Sequence, residues 1–227
     1  KYTATITGGT NVSGEDANWG EPDTNGYEYV DLGLPSGLLW ATCNVGASKP
    51  EDYGSYYAWG ETEENKLCYG YGEYKHYNGF YGDGYTKYCT DSFYGYNGFT
   101  DGKTVLDQSD DVAHVMWGGN WRIPTDAEWD ELLYYCVWSC TTQNGVSGYE
   151  VTSEIEDGNT RSIFLPAAGF REDYELLVAG SQGCYWSSSL GGNPDIGWSV
   201  NFTSGGHGGE GYSNPRYWGQ SVRPVCP

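Results

Sequence analysis

The sequence predicts a mixed α+β domain, on three observations. Two stretches in the middle of the chain have the periodicity of amphipathic helices. A short strand pair before them and several strand-like runs after them show the alternation of β-structure. The composition is the third observation, because 35 Gly and 22 Tyr residues against a single Met are typical of a loop-rich aromatic domain and exclude a helical bundle. The 227 residues allow one large domain or two small ones.

The chain begins with a polar segment. Residues 1–25 alternate briefly and then become rich in Gly, Asn, Asp and Pro, so we interpret them as a tail or linker and place the domain at 26–227. Strands are expected at 29–34 and 38–45, on either side of the turn residues 35–37. No apolar segment is long enough to cross a membrane, and the chain opens without the apolar core of a signal peptide, as expected of a mature fragment.

Residues 52–102 are dense in Tyr and Gly and follow neither a strand period nor a helix period. We interpret this stretch as long loops pinned by aromatic packing. Disorder is the alternative, but it would leave many aromatic side chains in water.

Two helices are predicted after these loops. Residues 110–117 open with acidic side chains, which favour a helix N-terminus, and place Val112, Val115 and Met116 on one side. The second helix, 126–135, is better defined because Thr125 and Glu128 have the spacing of a capping box. Apolar residues follow at i, i+3, i+4 and i+7, which predicts a buried face made of Trp129, Leu132, Leu133 and Cys136.

Short strands are predicted at 149–152, 162–167, 185–188, 198–203 and 221–225, separated by Gly-rich loops. The run 198–203 alternates most clearly. It places Trp198, Val200 and Phe202 on one face, which we expect to be core. The other face, with Ser199, Asn201 and Thr203, is then free to vary. In such a domain the two ends of the chain can pair.

The net charge of −20 argues against nucleic acid as a partner, because an acidic surface repels a phosphate backbone. The charge is uneven: residues 184–227 carry two acidic and two basic side chains, namely Asp195, Glu210, Arg216 and Arg223. This neutral, aromatic segment favours the binding of a protein or glycan surface, since charge is depleted at the centres of interfaces.

Seven cysteines without a CxxC pair do not indicate zinc or a redox motif. We therefore expect disulfides in an exported protein, and buried free thiols are the alternative. Seven is an odd number, so disulfides would leave at least one thiol unpaired, and Cys184 is the candidate. Cys43 could reach Cys226 only if the terminal strands lie side by side.

Six motifs resemble those of one known family. They are GYEYVDLGLPSGLLWATCNVG (26–46), YYAWGE (56–61), WGGNWRIPTDAEWDELL (117–133), IFLPAAGFR (163–171), YWSSSL (185–190) and SVRPV (221–225). In these motifs the chain is similar to the Fibrobacter succinogenes major paralogous domain, which is common in gut Bacteroidetes and is assigned to the C-type-lectin-like fold. The resemblance covers about residues 26–227 and implies paired terminal strands and a binding surface on long irregular loops.

The segment 184–218 is similar to the variable region of proteins diversified by retroelements, in which adenines of Asn-rich template codons are rewritten. The resemblance assigns to a fixed scaffold Trp186, Trp198, Val200, Phe202, Arg216 and Gly219. It assigns to a hypervariable ligand surface the residues that an Asn codon can reach, namely Cys184, Gly191, Asp195, Ile196, Ser199, Asn201, Thr203, His207, Tyr212, Ser213, Asn214 and Tyr217. Trp218 and Glu210 cannot be reached from an Asn codon and depart from this pattern.

The tryptophans divide into two groups. Those on apolar faces are predicted to be core: Trp121, Trp129, Trp186 and Trp198. Trp218 lies with Tyr212 and Tyr217 in a polar, Gly-rich segment, so we predict that these three are contact residues, because Tyr and Trp supply rigid amphipathic contact area.

A calcium-dependent lectin is an alternative, but its Glu-Pro-Asn or Gln-Pro-Asp and Trp-Asn-Asp signatures are absent. A turn explains residues 193–195 better than a metal site does. A carbohydrate-active or formylglycine-generating-type enzyme is a second alternative, in which Cys184 could be the nucleophile. The sequence places no base or cation beside that cysteine.

The sequence therefore predicts a non-enzymatic, receptor-binding or adhesin-type domain. Its expected ligand is a protein or glycan on a cell or phage surface, bound by the segment 184–218 without a cofactor, an obligatory metal or membrane insertion. We expect the domain outside the cell, on the cell surface or on a phage virion.

Overall fold

Antiparallel sheets and two short helices make up the regular structure, which confirms the α+β prediction. A computed structural model describes residues 22–79, 83–154, 160–208 and 213–227. The helices are α1 (Val112–Trp117) and α2 (Asp126–Tyr135). The strands are β1 (Tyr29–Asp31), β2 (Leu39–Ala41), β3 (Val137–Gln143), β4 (Val146–Glu154), β5 (Thr160–Pro166), β6 (Phe170–Glu172), β7 (Glu175–Leu177), β8 (Gln182–Leu190), β9 (Ile196–Thr203), β10 (Gly206–Gly208), β11 (Ser213–Pro215) and β12 (Val225–Cys226).

The two ends of the domain pair, as the sequence predicts. Strand β2 lies between β1 and β12, and Trp40 is opposite Val30 on one side and Val225 on the other. The buried side chain of Arg223 fixes this sheet, because it donates to Asn44 Oδ1 at 2.9 Å and to the carbonyl oxygens of Ala41, Thr42 and Phe164 at 2.9–3.0 Å.

Helix α2 has the predicted bounds and the predicted cap. The Thr125 side chain accepts from the Glu128 backbone, and the Glu128 side chain accepts in return from the Thr125 backbone. Trp129 and Leu132 are buried, and Leu133 and Cys136 pack beside them, so the predicted face is confirmed.

Helix α1 forms where it is predicted but buries a different face. Val112, Ala113 and Trp117 are buried, whereas Val115 and Met116 are exposed. Asp111 sets this orientation, because its carboxylate caps the Ala113 and His114 backbone and also accepts from the Ile123 backbone at 2.8 Å. The prediction for Val115 and Met116 is therefore wrong, since the cap and Trp117 decide which side faces the core.

The sequence interpretation located some of the strands after the helices and missed β3, β6, β7, β10 and β11. Strands β4, β8 and β9 contain their predicted runs, β5 contains 162–166 of the run 162–167, and only Val225 of the run 221–225 lies in a strand. Strand β3 is polar and was not predicted. It pairs with β4 across Asn144 and Gly145, which have φ values of 48° and 86° and therefore suit a tight hairpin turn.

The Tyr-rich loops are ordered by a tyrosine core, as the sequence predicts. Between residues 52 and 102, apart from the undescribed 80–82, the regular elements are single 3₁₀ turns at 71–73 and 96–98. The core that pins these loops contains Tyr56, Ala58, Tyr69, Tyr74, Tyr85, Cys89 and Ala168. The buried phenol groups donate outward to backbone, for example from Tyr56 to the Ala168 carbonyl at 2.6 Å.

The end of the predicted tail packs against the domain. The Asp23 carbonyl accepts from the Asn120 backbone at 2.9 Å, and the Thr24 carbonyl accepts from the Trp121 indole at 2.7 Å. The packed domain therefore includes residues 23–25, while 1–21 lie outside the described residues. Within the described ranges, no helix has the length and apolar character that crossing a bilayer requires.

Candidate ligand-binding site

The variable segment is built into one four-stranded sheet. Strand β9 pairs with β8 along one edge and with β10 and β11 along the other. The register places Cys184 opposite Asn201 and Trp186 opposite Ser199. Side chains of paired residues share a face, so Cys184, Trp186, Ser199 and Asn201 lie on the same side of the sheet.

Both faces of β9 are covered. Val200 and Phe202 belong to the core that contains Trp40 and Trp129, as predicted. On the other face, Ser199 is only 2% exposed and Asn201 only 8%. The expectation that this face is open is therefore wrong for both residues.

A second core explains this burial. Trp186 lies on the Ser199 face and packs in the cluster that contains Trp59 and Trp121. A Cβ at Gly197 would come within 2.7 Å of the Trp59 ring. Asn214 closes the face from β11, since its amide donates to Ser199 Oγ at 2.8 Å and to Asn201 Oδ1 at 3.4 Å. The alternation was correct, but the strand lies between two cores rather than between core and solvent.

Arg216 anchors the segment where it leaves β11. The side chain is fully buried, and its guanidinium donates to Tyr74 Oη at 3.0 Å and to the carbonyl oxygens of Lys87, Tyr88 and Pro194 at 2.9–3.2 Å. Aromatic rings surround it as well, at 4.5–5.8 Å from the guanidinium carbon: Trp59, Tyr74, Tyr85 and Tyr88. One side chain thus joins the variable segment to the Tyr-rich loops, and it fixes the backbone of the next two residues.

Those two residues, Tyr217 and Trp218, lie at the centre of a cluster that we call the aromatic surface. It consists of Tyr71, Phe170, Arg171, Tyr217 and Trp218. Tyr217 packs on Tyr71 with ring centroids 4.2 Å apart, and Trp218 stacks on Phe170 at 4.4 Å with an interplanar angle of 17°. Tyr217 and Trp218 are both partly exposed. Each ring therefore has a fixed orientation and keeps some area available to a ligand.

Backbone pairing holds three segments together beneath the aromatic surface. Arg171 and Gly219 exchange two hydrogen bonds at 2.7 and 2.9 Å, and Tyr69 and Asp173 exchange two more at 2.8 and 3.1 Å. The hairpin β6–β7 is thereby joined to the loop around residue 70 and to the variable segment. Leu67, on the loop before residue 70, and Tyr174, in the turn of the β6–β7 hairpin, are strongly exposed and extend the apolar area of this surface.

The charges near the aromatic surface are mainly acidic. Burial raises the pKa of Tyr217, and the nearby carboxylates of Glu172 and Asp173 raise it further. Burial also raises the pKa of Asp195, whose Oδ1 atom has no hydrogen-bond partner in the described part of the chain. Burial raises the pKa of Tyr56 to about 12. The guanidinium of Arg171, 5.1 Å from the Tyr56 ring centroid, opposes this rise.

The structure divides the predicted contact residues into three groups. At least partly exposed are Gly191, Asp195, Ile196, Thr203, His207, Ser213, Asn214, Tyr217 and Trp218. Buried are Cys184, Ser199 and Asn201. Tyr212 lies outside the described residues. Of the predicted core tryptophans, Trp121, Trp129 and Trp186 are buried, whereas Trp198 is only partly buried.

Thr203 and His207 lie near a different group of rings. The His207 ring stacks on Trp138 at 4.8 Å and approaches Tyr149 at 5.8 Å, and the Tyr149 hydroxyl donates to the Thr203 carbonyl at 2.9 Å. Partial burial lowers the pKa of His207. The predicted site residues therefore separate into a group near Tyr217 and a group near Trp138.

The cysteines do not form disulfides. All seven are free thiols, including Cys43 and Cys226, although the strands that bring them near each other do pair. The expectation of disulfides is therefore wrong, and export of the protein remains a prediction without their support. Cys184 is 1% exposed, and burial raises its pKa to about 12.

Metal ligands do not cluster in the described ranges, where no group of three or more His, Cys, Asp and Glu side chains could hold an ion. Several cations pair with carboxylates instead, namely Lys66 with Glu61, Lys75 and Lys87 with Asp110, Lys103 with Asp107, and Arg122 with Glu128.

Three members of the aromatic surface were missed by sequence reasoning. Tyr71, Phe170 and Arg171 lie far from the variable segment in sequence and contact it through the pairing of Arg171 with Gly219 and through ring contacts. The motif 163–171 ends with Phe170 and Arg171, but nothing in the chain indicates which residues they contact.

Comparison with known proteins found no match among family models, curated proteins or solved structures. The family resemblance therefore remains a prediction.

Proposed function

We propose that this chain is a non-enzymatic ligand-binding domain of C-type-lectin-like fold, and that its aromatic surface binds a protein or glycan on a cell or phage surface. Strand pairing between the two ends of the domain and the long ordered loops support this fold assignment. The single observation that carries the function is the pair of partly exposed residues Tyr217 and Trp218, whose rings pack on Tyr71 and Phe170 and which follow the buried Arg216 in the chain.

Pre-organised aromatic side chains are suited to binding. Ordering a side chain on association costs free energy, so rings that are already stacked on Tyr71 and Phe170 lose little further freedom when a ligand arrives. Tyr and Trp are also the side chains that most often dominate binding energy at interfaces. Acidic neighbours such as Glu172 and Asp173 favour a neutral or basic ligand over an anionic one.

Burial supports the proposed division into scaffold and diversified residues. Scaffold residues are buried at Trp186, Val200, Phe202, Arg216 and Gly219. Most of the residues proposed as diversified are at least partly exposed and can change without opening a core. The buried Cys184, Ser199 and Asn201 are exceptions. Asn214 is hydrogen-bonded to both Ser199 and Asn201, so we expect these three residues to vary together rather than independently.

A genomic observation tests diversification directly. We expect a reverse-transcriptase gene beside this gene, with a near-copy of codons 184–225 that differs mainly at adenines. Finding neither would remove the retroelement from the proposal and leave a fixed adhesin.

A binding experiment tests the aromatic surface. The fluorescently labelled domain, Tyr217→Ala and Trp218→Ala would be incubated with fixed cells of gut Bacteroidetes, with purified phage and with a glycan array. We expect each variant to lose about tenfold or more in affinity for at least one protein or glycan ligand of the wild-type domain. Tyr134→Ala is the control, because Tyr134 is a strongly exposed ring on α2. Equal binding by all four proteins, or no binding to any probe, would count against the proposal.

Cys184 does not favour the enzymatic alternative. A nucleophilic thiol must be accessible and ionised, whereas this thiol is buried and has a pKa of about 12. Its neighbour is the Gln182 amide, at 3.3 Å, which is not a base.

A further inference from the structure

A second candidate site lies in the Tyr-rich loops, outside the aromatic surface. It is an open groove of about 660 Å³, a volume in the range of small-molecule sites. The loops around residues 78 and 95 form it, and its lining consists of Asn78, Gly79, Asp83, Ser92, Phe93, Gly95, Tyr96, Asn97 and Gly98. None of these residues belongs to the predicted variable segment.

Hydrogen bonds to the backbone of one buried residue hold the groove in shape. Tyr85 donates from its amide to the Tyr94 carbonyl at 3.0 Å and accepts from the Tyr96 amide at 2.9 Å. The Asn78 amide donates to the Gly84 carbonyl at 2.7 Å, which closes the first loop. Both walls are therefore attached by backbone hydrogen bonds to the same short stretch, residues 84–85.

Glycines allow the close approach of these walls. A Cβ at Gly84 would lie 2.6–2.8 Å from the Tyr77 ring, and a Cβ at Gly79 would lie 2.7 Å from the Gly84 Cα. A Cβ at Gly95 would collide with the Phe99 carbonyl oxygen. These contacts leave no room for a side chain at three positions, and they define the shape that a ligand meets.

The lining combines exposed rings with uncharged hydrogen-bonding groups. Phe93 is 72% exposed and Tyr96 is 41% exposed. Asn78, Ser92 and Asn97 supply both donors and acceptors beside the rings. A sugar ring has the matching chemistry, because it presents an apolar C–H face to an aromatic ring and hydroxyl groups at its rim.

The charges of the groove lining and of the whole chain favour a neutral ligand over an anionic one. Among the described residues, the groove lining contains one carboxylate, Asp83, and no Lys, Arg or His. A net charge of −20 also opposes the approach of sialylated, sulfated or phosphorylated ligands. One carboxylate is too few for a calcium site made of several hard oxygen ligands.

From these observations we infer that the groove binds a neutral oligosaccharide without calcium, with one sugar ring stacked on Phe93. Amide and hydroxyl groups of Asn78, Ser92 and Asn97 then exchange hydrogen bonds with its hydroxyls. The residues that line this second site are different from those of the aromatic surface, so each site can be tested with its own variants.

Paired variants on the full chain test this inference. The probe is an array of neutral oligosaccharides, followed by calorimetry with any glycan that binds, in EDTA and in calcium. We expect Phe93→Ala to weaken binding by about tenfold or more, since it removes the stacking surface. Phe99→Ala is the matched control, because Phe99 is an exposed ring of the same loop that does not line the groove.

Further results distinguish the two proposed sites. A glycan whose binding Tyr217→Ala abolishes occupies the aromatic surface, and the groove inference fails if every neutral glycan that binds the wild-type domain behaves in this way. Binding that requires calcium, or that Phe93→Ala does not affect, overturns the inference as well. The same holds if no neutral glycan binds at millimolar concentration, or if only peptides from a displayed library bind in the groove.

Discussion

The guanidinium carbon of Arg216 lies 4.5 Å from the ring centroid of Tyr85. This contact connects the two regions that we propose for binding. The Tyr85 backbone is hydrogen-bonded to the Tyr94 and Tyr96 backbone at the groove, and Arg216 directly precedes Tyr217 of the aromatic surface. The acceptors of Arg216 are carbonyl oxygens and a phenol. Its charge is therefore stabilised by dipoles and ring faces.

Arg216→Lys is expected to destabilise the domain by about 3 kcal/mol or more, because a single ammonium group cannot replace the guanidinium fork and leaves buried carbonyls without a donor. Urea denaturation followed by tryptophan fluorescence measures the loss. Arg161→Lys is the control, since Arg161 pairs with Asp31 at the surface and should change stability little. Equal stability of the two variants would contradict the role given to Arg216.

Gly219→Ala is expected to cost about 1–3 kcal/mol, because the new methyl group would lie 2.5–2.8 Å from the Tyr69 ring. Tyr69 must then move, and the pairing of Gly219 with Arg171 moves with it. Gly192→Ala is the matched control, since its Cβ would meet nothing within 4 Å. The thermal midpoints of both variants test this, and a Gly219→Ala protein as stable as Gly192→Ala would show that the contact can relax.

The thiols should titrate in two classes. In denaturant without reductant, a thiol reagent should detect seven groups, because all cysteines are free. In the native state at pH 8, Cys140 should react quickly because it is exposed, and Cys184 should not react because it is buried with a pKa of about 12. Mass spectrometry of the labelled peptides identifies them, with Cys140→Ser as the control. Fewer than seven thiols in denaturant would indicate disulfides.

His76 should make the domain less stable in mild acid. Burial lowers its pKa to about 4 from the usual 6.5, while a hydrogen bond to the Gly60 carbonyl at 2.9 Å acts in the other direction. Between these two values the unfolded chain binds more protons than the folded chain, so the free energy of unfolding falls as the pH is lowered from about 6.5 to about 4. Over this pH range His76 lowers the free energy of unfolding by about 3 kcal/mol.

His76→Gln removes this titration and retains a donor toward the Gly60 carbonyl. Urea denaturation at several pH values should show a smaller acid loss for the variant than for the wild type. Parallel pH profiles for the two proteins would contradict the buried, neutral state of His76.

Local sequence signals were sufficient to predict those elements whose structure depends on residues adjacent in sequence. The capping box of Thr125 and Glu128 defined α2, and the alternation at 198–203 identified β9. Asn144 and Gly145 carried a hairpin signal that could have identified β3, but the polar residues of that strand obscured it. The candidate site was located less completely, because Tyr217 and Trp218 were found without their partners.

The sequence by itself determined the α+β class, the ordered Tyr-rich loops and the second helix, and it predicted Tyr217 and Trp218 as contact residues, because each of these depends on periodicity, caps or composition within a short window. Only the tertiary structure decided that Ser199 and Asn201 are buried, that Tyr71 and Phe170 support the aromatic surface, and that Phe93 lines a separate groove. Burial depends on what covers a face. In this domain the residues that cover a face come from segments distant in sequence, so a local sequence pattern cannot predict them.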